Sequence, residues 1–365
     1  MRAYLLLLTV CFVHTGFAQQ GRSVTDLKTE NVFLITLDGL RWQELFTGSD
    51  ALLVENEKYV GNPAALTNQF HKGDANARRK TLMPFFWSEL LQKGQIYGNR
   101  ALGCDVNLTN NEWFSYPGYN EILTGRADVN ITSNDKIPNP NTTVLEFVNR
   151  QAGFEGRVAA FGSWDVFPYI VNEERSGVPV NAGFEAAKGE DLTPREQFLN
   201  DLQEEIPSPW GTVRLDAFTH HYALEYLKKK HPKLLYIAYG ETDDFAHDGD
   251  YEAYLKSAHQ TDQFIADLWA FTQEDPVYKG TTTFIITTDH GRGTEPLDTW
   301  RGHGTDIKGA DQIWMAVLGP DSPALGEVKD CKLFQNQVAS TTAAFLGFDW
   351  VSVQEAGATI RSAFK

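Results

Sequence analysis

Cysteine is scarce in this chain: three residues in 365, and one of them, Cys11, falls in the apolar N-terminal run. The other two, Cys104 and Cys331, stand alone, outside any CxxC pattern, so a thiolate metal site or dithiol redox site is not expected. They are enough for one disulfide in an oxidising compartment, although sequence alone does not show that they meet. Basic residues are also short, with 32 Lys and Arg against 48 Asp and Glu, a net charge of −16. Neutralising phosphates along a nucleic acid needs clustered Lys and Arg, so binding as a nucleic-acid scaffold is not expected. After the N-terminus no apolar run is long enough to span a bilayer. Repeats, low-complexity tracts and long Pro/Ser/Gly linkers are missing too.

What is present begins with MRAYLLLLTVCFVHTGFAQQ. Arg2, the apolar stretch Tyr4–Val13 and the small residues Gly16 and Ala18 have the order of a secretory signal, giving residues 1–18 as a signal peptide and 19–365 as the exported, periplasmic or extracellular domain. Within that domain, short β-branched runs alternate with helical patterns. NVFLITL (31–37), RVAAFG (157–162), KLLYIAYG (233–240), TTFIITT (282–288) and IWMAVLG (313–319) read as buried strands. Helices are expected over Leu82–Gln92, Thr143–Val148, Leu215–Lys230, Tyr251–Glu274 and Gln335–Leu346. The alternation predicts an α/β fold, a largely parallel sheet with helices on both faces. Segment 170–212, rich in Pro, Gly and charge, reads as a surface insertion or cap rather than sheet.

Ligands of open α/β sheets bind beyond the carboxyl ends of the strands. Asp38 follows the first strand, Asp243 and His247 the KLLYIAYG strand, and Asp289 and His290 the TTFIITT strand, with His303 soon after in RGHG. Any one of these reads as turn chemistry or a surface residue. Together they are three carboxylates and three imidazoles at one sheet edge, about what two divalent metals ~3.5–4 Å apart require. Without sulfur, the donors suit zinc or manganese.

Five stretches, LDGLRW (37–42), SYPGYNEILTG (115–125), ETDDFAH (241–247), TTDHGRG (287–293) and GHG (302–304), follow the order found in the alkaline phosphatase superfamily, which the chain resembles over roughly residues 31–320. The nearest resemblance is to the nucleotide pyrophosphatase/phosphodiesterase branch. It implies one metal held by Asp243, His247 and His303 and a second by Asp38, Asp289 and His290. Ser115 then falls at the nucleophile position, bridging toward the second metal, and Asn134 where that branch places an asparagine on a phosphoryl oxygen. The branch usually has threonine where Ser115 stands, and SYPGY lacks the arginine of the sulfatase signature. The implied activity is hydrolysis of a small-molecule phosphate ester. GSWDVFPYI (162–170) carries no Lys or Arg, so an uncharged pocket with Trp164, Phe167 and Tyr169 favours a diester, while Arg126 and Arg175 stand as alternative cations for a monoester. Pro117 suits the first turn of a helix whose positive end would face the phosphoryl group. The sequence says nothing of oligomeric state.

Overall fold

The structure is a computed structural model describing residues 27–351 and 354–365. The expected signal peptide lies outside the described residues. Eleven strands are described: β1 (Asn31–Leu37), β2 (Gln95–Tyr97), β3 (Asp105–Asn107), β4 (Val158–Gly162), β5 (Val180–Ala182), β6 (Leu234–Tyr239), β7 (Thr282–Thr287), β8 (Gln312–Ile313), β9 (Met315–Leu318), β10 (Gly326–Glu327) and β11 (Lys332–Phe334). Eight form one sheet in the order β10-β2-β9-β7-β1-β6-β4-β5, and β11-β3-β8 form a second, small one. In the large sheet β7, β1, β6, β4 and β5 run parallel, and β9 is antiparallel to its neighbours β7 and β2. The α/β reading therefore holds.

The strands are apolar on both sides because both sides are covered. Along β1, Phe33, Ile35 and Leu37 enter one core cluster while Val32 and Leu34 enter the other. Strand β6 divides the same way, Leu235, Ile237 and Tyr239 against Leu234, Tyr236 and Ala238, the two-residue period of a pleated strand. We number the helices that matter to the site α1 (Ser115–Thr124), α2 (Val144–Asn149), α3 (Pro194–Glu205), α4 (Asp216–Lys230), α5 (Glu241–Asp248), α6 (Tyr251–Glu274) and α7 (Val338–Phe345). Helices α4 and α6 cover the first face, and α1, α2 and α7 the second. No helix among the described residues is long and apolar enough to cross a membrane.

Three local expectations are corrected. Segment 170–212 is partly sheet: Val180–Ala182 is the parallel edge strand on β4, and Pro194–Glu205 is a helix. Pro179 precedes that strand, where its missing N–H costs no ladder bond. The helix expected over Leu82–Gln92 begins only at Phe86, as a single π turn that runs into Leu91–Lys93. Pro84 interrupts it, and the carboxylate of Asp262 takes the freed N–H groups of Phe85 (2.7 Å) and Phe86 (3.1 Å). IWMAVLG serves two sheets, Ile313 pairing with Val106 and Met315 with Thr287. Between them Trp314 is fully buried, its indole N–H donating to the Leu40 carbonyl at 2.9 Å.

Candidate active site

Each presumed ligand leaves a strand end on a short, constrained connection. Asp38 directly follows β1, its N–H bonded to the Tyr239 carbonyl of β6 at 2.9 Å. Gly39 takes φ +58°, and a Cβ there would lie 2.9 Å from Arg292 Nε and 3.0 Å from Asp243 Oδ1, so the turn needs glycine for conformation and for space. After β6, Gly240 leads into α5, whose one-turn spacing puts Asp243 and His247 on one face. Beyond β7 come Asp289 and His290, both fully buried. The loop carrying His303 is pinned at Gly304, whose N–H donates to the Trp113 carbonyl at 2.9 Å, two residues before Ser115.

These connections bring the six residues together. His290 Nε2 lies 3.3 Å from Asp38 Oδ1, 3.5 Å from Asp289 Oδ2 and 3.7 Å from Asp243 Oδ1. His303 Nε2 is 2.9 Å from His247 Nε2 and 3.6 Å from Asp243 Oδ1, and His247 Nε2 is 3.3 Å from Asp243 Oδ2. Two triads, Asp38–Asp289–His290 and Asp243–His290–His303, each present ligand atoms within 4.8 Å of one another. His247 joins the second through its contacts with Asp243 and His303.

The donor chemistry fits divalent cations. Asp38 Oδ1 and Asp289 Oδ2 are buried without a hydrogen-bond partner, and such orphaned oxygens are costly unless a cation meets them. The Nδ1 of His290 donates to its neighbour's carbonyl, Gly291 O, at 2.9 Å, which aims Nε2 at the carboxylates, the nitrogen that would ligate a cation once its proton is displaced. Electrostatics agree. Burial, then the nearby Asp38, pushes the Asp289 carboxyl well above its usual range. At His290 burial acts to lower the pKa, but Asp289 and Asp38 outweigh it and hold the ring up at about 9. Burial and the neighbouring His290 drive His303 the other way, well below the usual imidazole value. Like charges crowded this closely are the setting in which metals are bound.

Ser115 is the first residue of α1, not a residue ahead of it: the helix starts two positions before Pro117, which takes the third. Its Oγ lies 3.4 Å from His290 Nε2, buried to 5 % exposure. The loop into it is fixed by Glu121, whose carboxylate accepts from the N–H groups of Thr109 and Asn110, both at 2.8 Å, and from the Thr109 hydroxyl. Asn134 stands beside the same turn, its Oδ1 accepting from Tyr116 N–H at 3.0 Å and its amide nitrogen left free to donate.

The residues expected to line a substrate pocket fare differently. Phe167 is core, 2 % exposed, with its ring centroid 4.8 Å from that of Tyr119 and 5.8 Å from Tyr236. Arg126 follows the C-terminal cap of α1, about 15 Å of helix away from Ser115, and is bound to Asn141. Arg175 is committed to Glu146 and to the carbonyls of Asn139 and Asn141. Trp164 and Tyr169 remain half-buried past the end of β4. Sequence reading missed two supports. The Tyr119 hydroxyl donates to Asp38 Oδ2 at 2.8 Å, and the buried Arg292 guanidinium binds Asp243 Oδ1 directly. Both were visible as motif letters, in SYPGY and TTDHGRG, with nothing in the order of residues to tie them to a ligand.

The model of the family described as the Metalloenzyme superfamily matches residues 192–306 of the chain. No curated protein sequence matches it. Among solved structures, alkaline phosphatase PafA aligns over 93 % of this chain and 99 % of its own at 10 % identity, with a TM-score of 0.59. Murine ectonucleotide pyrophosphatase/phosphodiesterase 5 aligns over 92 % and 100 % at 12 % identity and a TM-score of 0.54. Phosphonate monoester hydrolase from Silicibacter pomeroyi aligns over 91 % and 76 % at 15 % identity and a TM-score of 0.53. The chain has the alkaline phosphatase fold, the one its resemblance to that superfamily implied.

Proposed function

We propose that the protein is an exported hydrolase of phosphate esters, with Ser115 as nucleophile and two divalent cations, zinc by donor type, held by Asp38, Asp289 and His290 and by Asp243, His247 and His303. The observation that carries this reading is the position of Ser115 Oγ, 3.4 Å from the imidazole nitrogen shared by the two triads. A serine hydroxyl is a weak nucleophile at neutral pH and needs activation. Bound metals would supply that activation and offset charge on the phosphoryl group.

The protein's own residues do the rest. Tyr119 orients Asp38 through its second oxygen, Oδ2, and Arg292 fixes Asp243 at Oδ1, the oxygen that faces His290 and His303. The positive dipole end of α1, which begins at Ser115, would favour a phosphoryl anion there. Asn134, anchored through its oxygen, has its NH2 free for a phosphoryl oxygen. Attack by Ser115 Oγ forms the Ser–O–P bond as the P–O bond to the leaving group breaks, and the serine proton leaves with the alcohol. Water then breaks the Ser–O–P bond, restoring the serine hydroxyl and releasing phosphate from a monoester or a monoester from a diester. Export is supported by the N-terminal pattern and by the Cys104–Cys331 disulfide, a bond favoured outside the reducing cytosol.

The test is turnover of p-nitrophenyl phosphate and its bis-ester by zinc-loaded protein, with and without chelator. Chelator-sensitive turnover of either ester is expected. No turnover of any ester, with both metals bound, would leave a metal-binding protein without catalysis; turnover of sulfate esters alone would point to a sulfatase-like enzyme.

A further inference from the structure

The diester preference expected from the sequence rests on one absence, the lack of Lys or Arg in Gly162–Ile170. The fold returns a cation to that stretch from another loop. Lys136 Nζ lies 2.7 Å from Asp165 Oδ2, and Asp165 stands three residues beyond the end of β4, at the ligand-binding edge of the sheet. We propose that Lys136, oriented by Asp165, is the cation that meets the second negative charge of a phosphate monoester at Ser115, and that monoester dianions are therefore the substrate class. The inference rests on the phosphate-ester reading above.

Four observations support it. The segment holding Lys136 is bracketed against the residue after Ser115: Asn134 Oδ1 accepts from Tyr116 N–H at 3.0 Å, and the Tyr116 hydroxyl donates to Ile137 O at 2.6 Å. Lys136 thus sits between two residues fastened to the first turn of α1, on the same short stretch as Asn134. Asp165 is itself held in place. Its N–H donates to Thr212 O at 3.0 Å, and Gly183, with φ +55°, packs so closely that a Cβ there would lie 2.5 Å from Asp165 Cβ. The other oxygen of Asp165, Oδ1, is buried without a partner, so Oδ2 alone faces the ammonium.

The remaining arginines in question are engaged elsewhere. Arg292 is on Asp243, Arg126 on Asn141, Arg175 on Glu146, and Arg301 Nη2 donates to the His247 carbonyl at 2.7 Å. Lysine also suits the role. An ammonium has three N–H donors; one satisfies Asp165, and two stay available for phosphoryl oxygens. Its flexible stem lets it follow the phosphoryl group. A plain surface ion pair is the competing account, since Lys136 is 46 % and Asp165 24 % exposed. Such a pair ties two loops together and has no reason to distinguish one ester from another.

The experiment compares wild type, Lys136→Ala and Lys136→Arg, all zinc-loaded and matched for metal content and Tm. Calorimetry reads the affinity for inorganic phosphate, and kinetics read p-nitrophenyl phosphate against its bis-ester. In Lys136→Ala, phosphate affinity and monoester kcat/KM should fall by about 10- to 100-fold, the worth of a hydrogen bond to a charged group, with diester kcat/KM falling less than about threefold. Lys136→Arg should restore most of both. Equal losses on the two esters, or unchanged phosphate affinity in Lys136→Ala, would overturn the assignment. If wild type turns over neither ester, the hydrolase reading fails by itself, while phosphate affinity still reports on Lys136.

Discussion

At the scale of single residues, Ser115 carries the sharpest expectation. Ser115→Ala removes only an oxygen from a buried helix start, so fold and metal content should stay as they are while ester turnover falls by about three orders of magnitude or more. Residual activity near wild type, with two metals still bound by elemental analysis, would take the nucleophile role away from Ser115. A second residue tests the packing rather than the chemistry. Burial holds the Asp262 carboxyl up at about 7, even though it accepts the N–H groups of Phe85 and Phe86. The unfolded chain titrates the same group near the ordinary value of about 4. Between those values the folded chain keeps a proton that the unfolded chain has released, so this contribution is complete at low pH and is lost as pH rises through about 7. Asp262→Asn carries no such titration. The stability of wild type relative to the variant should therefore decline from pH 5 to pH 8 in denaturant titrations, and a flat difference would contradict the assigned shift.

At the scale of elements, the site depends on how closely α1 approaches the end of β7. Gly118 lies one helical turn on from Ser115, and a Cβ built there would sit 2.5 Å from the backbone oxygen of Asp289. That neighbour is main chain and cannot swing aside. Gly118→Ala would gain up to about 1 kcal/mol of helix propensity, yet it must push α1 away from the strand end that presents Asp289 and His290. The expected result is weaker retention of the metal on Asp38, Asp289 and His290 under chelator and a lower kcat. Unaltered metal retention would mean that α1 can shift without moving the ligands. The same element shows where local pattern reading stops. Pro117 does lie in the first turn, but the start itself, at Ser115, is set by Trp113, which turns the chain with φ 52°, and by Glu121, which ties down the preceding loop.

At the scale of the molecule, the Cys104–Cys331 disulfide joins positions 227 residues apart, tethering the small sheet strands β3 and β11. Closing so long a loop restricts the unfolded chain, and Cys331→Ser should cost about 2–4 kcal/mol in denaturant unfolding of the oxidised protein. A loss below the error of the measurement would show that the parallel pairing of β3 with β11 already fixes this region. None of the proposed ligands lies on β3 or β11, so the variant should retain as much metal as the wild type.

How much of this was legible beforehand follows from the range of the interactions. The sequence by itself determined the central strands β1, β4, β6 and β7, because residues covered on both faces must be apolar throughout, and it determined the strand-end acids and histidines, because motif order survives without coordinates. Tertiary structure alone decided which side chains answer them. Arg292 on Asp243 spans 49 residues, Tyr119 on Asp38 81, and Lys136 on Asp165 29. Nothing in local spacing encodes such pairs, since each exists only once parallel strands have brought distant loops to one edge. The edge strand β5 was hidden for the same reason: three residues after a proline become a strand only when β4 offers its free side.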